Sequence, residues 1–296
     1  MTTTHLPDTN DGVPRTMKIG IGTYSLFWEF ECRNPSPLDI PGMIDRAAQL
    51  GCEVFQICDD PRIEQLDTAG LHDLRERAEL LGVELELGTR TIGREHLGRY
   101  LDIAEALDAR TLRSMIQSQE IATGPEAAVA ELRASLPGLE AAGISLALET
   151  YEQVPTSTLL GIVEELDSPH VGICLDPANC VSALEHPKDV VEACAPHTAN
   201  LHVKDFAFAR QEGWVGFTYS GAPLGEGLLD LDHELRHVYF GDRATSAVGR
   251  TPSAIVEHWL PWQGDLATTL EAERAWTDRT LAALRDWREA HRLSNA

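Results

Sequence analysis

Eight short runs of apolar and β-branched residues recur along the chain, each separated from the next by a longer amphipathic stretch. They are "MKIGIGTYS" (17–25), "CEVFQIC" (52–58), "VELELGT" (83–89), "TLRSMI" (111–116), "SLALET" (145–150), "VGICLDP" (171–177), "ANLHVKDF" (199–206) and "SAIVEHW" (253–259). Runs of that length read as buried strands, and the stretches between them carry helix punctuation. Gly51, Gly82 and Gly143 are placed as helix stops, Pro125 as a first-turn residue, and Pro137 predicts a kink. Strands alternating with helices join as parallel units through right-handed crossovers. The expectation is an α/β fold: a single (β/α)8 barrel over 17–296 behind a flexible polar arm at 1–16. A doubly wound open sheet is the alternative. Residues 207–251 break the pattern of short connections. They are expected as a long loop on the face where barrel active sites are built.

Four of the runs end in a polar group. Glu149 ends the fifth, Asp176 the sixth, His202 lies in the seventh and Glu257 in the eighth. In a parallel barrel these strands are neighbours whose C-terminal ends share one rim. Strand alternation also aims Lys204 the same way as His202. Three carboxylates this close repel one another unless a cation joins them. Three carboxylates and one imidazole suit one divalent ion, Mn²⁺ first, with Mg²⁺, Co²⁺ or Fe²⁺ as alternatives. Singly, each residue would be an ordinary hydrogen-bonding group; their repeated placement is the argument for a site.

The stretches "LALET", "GICLDPAN", "NLHVKD", "PLGEG" and "IVEHW" resemble the xylose-isomerase-like TIM barrels, a superfamily of sugar isomerases, keto-sugar epimerases and endonuclease-IV-type proteins. The resemblance covers about 17–290. It implies Glu149, Asp176, His202 and Glu257 as metal ligands, with Glu149 and Glu257 also exchanging protons with the substrate, one on each face of a sugar carbon. A metal holding a carbonyl and the adjacent hydroxyl acidifies the C–H between them and stabilises the enediolate. Lys204 either neutralises the developing oxyanion or pairs with an internal carboxylate. The expected function is a metal-dependent sugar isomerase or epimerase. A carboxy-lyase that decarboxylates an oxo-sugar acid through the same enediolate is the alternative, and a non-catalytic sugar-binding barrel ranks below both.

Three positions depart from the keto-sugar 3-epimerase pattern. Asn179 stands where a histidine is expected, Phe208 where an arginine is (Arg210 follows two later), and Pro155 where a glutamate is, with Glu152 nearby. The metal centre is kept and the epimerase substrate clamp is not. Glu152, Asn179 and Arg210 remain candidate substrate contacts. Arg113 either forks onto a substrate carboxylate at the barrel mouth or lies outward over a helix. Trp28 and Trp259 are candidate stacking faces for a sugar, against the ordinary role of filling the core.

A formal charge of −23 argues against a nucleic-acid partner. No apolar run reaches the roughly 20 residues that span a bilayer. Six cysteines without a C-x-x-C pair, and no secretory signal at the start, point to reduced thiols in a cytoplasmic protein. A small sugar or sugar acid is the expected partner, and a homo-oligomer or a required partner subunit is compatible with such a barrel.

Overall fold

The structure is a computed structural model that describes residues 17–211, 213, 215–243 and 250–292. The arm expected at 1–16 lies outside them. Each of the eight apolar runs contains a strand: β1 (Ile19–Gly22), β2 (Val54–Cys58), β3 (Glu84–Gly88), β4 (Thr111–Ser114), β5 (Ser145–Glu149), β6 (Val171–Leu175), β7 (Thr198–Val203) and β10 (Ala254–Val256). They close in the order β1-β10-β7-β6-β5-β4-β3-β2 with every pair parallel. The open-sheet alternative is thereby removed.

Because the strands are buried on both faces, they read as continuous apolar runs rather than alternating ones. Their two phases do different work. One phase, including Ile19, Ile21, Phe55, Leu87, Leu112, Leu146, Leu148 and Leu201, joins the apolar core with residues of the surrounding helices. The other phase points into the barrel, where Gln56 of β2 bonds Asn200 of β7 across the lumen.

Helix ends follow the expected chemistry. Asp39, Asp67 and Asp265 accept from backbone N–H groups of Gly42, Gly70 and Thr268. Gly82 and Gly143 close their helices in the left-handed region, at φ 69° and 63°. Helix Pro125–Ala142 runs through Pro137 without ending there.

The segment after β7 is not a structureless loop. It holds an antiparallel hairpin, β8 (Phe206–Arg210) with β9 (Phe217–Gly221), and helix Leu231–Phe240. The "PLGEG" turn between them is tied down by buried Asp205, whose carboxylate accepts from the backbone N–H of Phe206, Gly225, Gly227 and Leu229 at 2.8–3.0 Å. A Cβ on Gly227 would come within 2.1 Å of that carboxylate, so only glycine fits. Among the described residues no helix is long and apolar enough to cross a membrane.

Candidate active site

Glu149, Asp176, His202 and Glu257 converge at the C-terminal end of the barrel, all of them buried. Backbone alternation explains the convergence, since each is an inward-facing residue within one position of the end of its strand. His202 Nδ1 lies 3.5 Å from Glu149 Oε1, 3.7 Å from Asp176 Oδ2 and 3.5 Å from Glu257 Oε2. None of these is a hydrogen bond, and His202 Nδ1 and Glu257 Oε1 have no hydrogen-bond partner among the described residues. Buried polar atoms are seldom left so. Glu149, Asp176 and His202 each offer a ligand atom within 4.8 Å of the others, a spacing open to an ion, and Glu257 Oε2 joins them from the His202 side at 3.5 Å. The set therefore fits a divalent metal: Glu149, Asp176, His202 and Glu257 would hold it. Cys174, beneath them, keeps a neutral thiol, pushed up to about 11 by burial, so the donor set is oxygen and nitrogen.

The opposite ring nitrogen explains why Nδ1 is bare. His202 Nε2 lies 2.8 Å from Gln56 Oε1. The Gln56 amide is fixed by its other end, where Nε2 donates to Glu86 Oε2 at 3.0 Å and Asn200 Oδ1 at 2.9 Å. Asn200 Nδ2 in turn donates to Glu86 Oε2 and Ser253 Oγ, and Ser253 donates to Glu86 Oε1 at 2.5 Å. Gln56 Oε1 is thus an acceptor, His202 Nε2 carries a proton, and Nδ1 is the ring nitrogen that faces the cluster, free to bind an ion once it gives up its own proton. Sequence reasoning missed Gln56, Glu86, Asn200 and Ser253. Their signal was present, because each is a polar residue in the inward phase of an apolar strand.

Cations hold the carboxylates from outside. Lys204 Nζ is 2.6 Å from Asp176 Oδ2 and 3.4 Å from Glu257 Oε2. It also lies 4.2 Å from the Trp259 ring centroid, within cation–π range. Asn179 bridges the two halves. Its Nδ2 donates to Glu149 Oε1 at 2.7 Å, and its Oδ1 accepts from Lys204 at 3.3 Å. Arg113 points into the barrel, not outward over a helix. Its guanidinium pairs with Glu149 Oε2 and donates to Asp59 Oδ1 and Thr89 O, each at 3.0 Å. It holds Glu149 in place, and the substrate fork expected of it is taken up by protein partners.

Burial raises the pKa of all three carboxyls, and the neighbours then separate them. Arg113 and His202 bring Glu149 below the ordinary carboxylate value, and Lys204 with His202 does the same for Asp176. Burial keeps Glu257 above it. His202 is pushed well above 6.5, because Cys174, Glu257 and Glu149 around it outweigh the burial that would lower it.

The remaining candidates divide. Trp28 and Trp259 line a cleft of about 310 Å³ with Tyr24, Phe27, His258 and Pro261. Trp28 is pinned there, its indole N–H donating to Leu260 O at 2.9 Å. Glu152 is exposed beyond β5. Arg210 sits at the far end of β8 with its guanidinium 4.4 Å from the Phe217 ring centroid. Neither belongs to the buried cluster.

Comparison with known proteins agrees with this geometry. Residues 44–242 match the xylose isomerase-like TIM barrel family. A 3-oxo-isoapionate decarboxylase of Pectobacterium atrosepticum is 49% identical over 265 residues, covering 90% of this chain and 94% of that one. A D-psicose 3-epimerase structure superposes with a TM-score of 0.67 at 15% identity, covering 92% and 99% of the two chains. A xylose isomerase-like barrel from Mycobacterium smegmatis, solved in complex with magnesium, gives 0.63 at 17% identity over 90% and 98%. At such identities the two structural matches speak for the fold alone. The chain is therefore an enzyme, and it belongs to the xylose isomerase-like TIM barrel family.

Proposed function

We propose that the chain decarboxylates a 3-oxo sugar acid of the isoapionate type at a divalent metal held by Glu149, Asp176, His202 and Glu257. The observation that carries this reading is the 49% identity to a 3-oxo-isoapionate decarboxylase along nearly the full length of both chains. It favours the carboxy-lyase alternative over isomerisation or epimerisation. The departures at Asn179, Phe208 and Pro155 point the same way.

In a 3-oxo acid the bond between C1 and C2 breaks heterolytically. Carbon dioxide leaves, its bonding pair moves into C2–C3, and the charge settles on the oxygen at C3 as an enolate. The metal, when bound, polarises that ketone and offsets the enolate charge. Lys204 stands over the same place with its ammonium held by Asp176 and the Trp259 face, oriented to meet oxyanion charge without reorganisation. The product needs one proton at C2. Glu257 is suited to deliver it, since burial raises its pKa and its Oε1 has no other partner among the described residues. Asn179 and Arg113 keep Glu149 turned into the cluster. Trp28 and Trp259 wall a cleft beside the cluster, with the Trp259 ring centroid 4.2 Å from Lys204 Nζ, and offer an apolar face to a sugar carbon chain.

The test is incubation with a 3-oxo sugar acid and, in parallel, with free ketoses, following CO₂ and the sugar products. CO₂ in step with loss of the acid, and no exchange among ketoses, supports the reading. Ketose interconversion without CO₂ release overturns it.

A further inference from the structure

Helix Leu231–Phe240 contains the stretch "HELRH", two histidines four apart with a glutamate after the first. Residues four apart on a helix share a face, and here the two ring centroids lie 4.2 Å apart with the planes tilted by 45°. They face Glu192 on helix Pro187–Cys194, whose Oε1 is 3.5 Å from His233 Nε2. Each of Glu192, His233 and His237 offers one ligand atom, and the three atoms lie within 4.8 Å of one another. Ligands on a tetrahedral zinc at ~2.0–2.1 Å stand about 3.3 Å apart, which the Glu192–His233 pair at 3.5 Å nearly matches and the third ligand reaches from within 4.8 Å.

Two further observations separate this cluster from an ordinary surface pair. His233 Nε2 is buried and has no hydrogen-bond partner among the described residues. His237 Nδ1 is engaged with His233 O at 2.7 Å, which leaves its Nε2 as the nitrogen with a lone pair. The neighbouring charges do not compete for the imidazoles: Lys188 pairs with Asp230, and Asp230 caps the helix at His233 N.

We propose that Glu192, His233 and His237 form a second metal site, separate from the barrel cluster, for an imidazole-preferring divalent ion such as Zn²⁺. Its role is to clamp helix Leu231–Phe240, which belongs to the long excursion after β7, onto helix Pro187–Cys194. The "HELRH" stretch also matches the H-E-x-x-H pattern of zinc peptidases, but the glutamate cannot serve as a general base there. Glu234 is fully buried, with neither carboxylate oxygen bonded among the described residues, so it turns away from the exposed cluster. The site is a staple with one or more water-filled positions.

The test uses the full chain stripped of metal, then dialysed against Zn²⁺ and analysed for bound ion. The expected result is two zinc ions per parent chain, one in His237→Ala, and a Zn²⁺-dependent rise in melting temperature that His237→Ala loses. Cu²⁺ loading of the parent protein gives a readout that needs no variant. The barrel site offers one imidazole and the surface site two, so the second equivalent of copper should show coupling to two nitrogens in its paramagnetic resonance spectrum. Equal zinc content and an equal melting rise in parent and variant would overturn the proposal, as would a copper spectrum with one nitrogen at every loading.

Discussion

Two polar layers are stacked inside this barrel, and they obey opposite rules. The lower one, Gln56, Glu86, Asn200 and Ser253, is saturated: each amide, hydroxyl and carboxylate oxygen in it has a partner at 2.5–3.0 Å. The upper one, Glu149, Asp176, His202 and Glu257, is not: His202 Nδ1 stands 3.5–3.7 Å from the three carboxylates, and it and Glu257 Oε1 have no hydrogen-bond partner among the described residues. A satisfied buried network rigidifies a core, while an unsatisfied one costs free energy unless something else completes it. The lower layer is therefore read as scaffold and the upper as site. The two meet at one contact, His202 Nε2 with Gln56 Oε1.

The largest effect that would sharpen this contrast comes from the upper layer. Glu257→Gln keeps the shape but removes the proton, and kcat should fall by roughly 10²–10⁴-fold with melting temperature near the parent's. A variant that retains parent turnover would remove Glu257 from the chemistry. Next is the junction. Gln56→Leu frees the His202 ring to take either tautomer and should weaken metal affinity about 10–100-fold, measured by competition with a chromophoric chelator. Unchanged affinity would mean that the lower layer does not orient the ligand.

A smaller effect is expected from the lower layer itself. Glu86→Leu strands the donors of Gln56, Asn200 and Ser253, at about 1–3 kcal/mol for each group left unpaired. Denaturant unfolding of the metal-free protein reads this loss directly. The pH response is the mildest and has opposite signs for the two states. Since His202 in the metal-free barrel has a raised pKa, it holds more protons folded than unfolded above pH 6.5. Stability of the stripped protein should then fall as pH rises from 6.5 through the folded value, while metal affinity rises across that window as the proton leaves. Thermal scans of stripped and loaded protein over this range would show the two trends diverging.

The barrel was legible because its signal is local. Continuous apolar runs with glycine and proline punctuation placed all eight of its strands, and polar residues at strand ends placed Glu149, Asp176, His202 and Glu257. What escaped depends on distant partners. Gln56 meets His202 across 146 positions and Ser253 meets Glu86 across 167, separations that no window along the chain can join. Arg113 was left open between inward and outward: an arginine in an apolar strand is inward only if carboxylates wait there, and Asp59 and Glu149 come from other elements. The β8–β9 hairpin was read as loop because its strands lie outside the barrel and are largely exposed, with glycines and polar residues between them.

The most direct test of the account is to strip the protein of metal and titrate it with Mn²⁺ while following CO₂ release from a 3-oxo sugar acid. Turnover should be absent in the stripped protein, appear with added ion and saturate at one equivalent bound in the barrel, with His202→Ala showing none at any loading. Full turnover by the stripped protein would contradict the reading of the upper layer as a metal site.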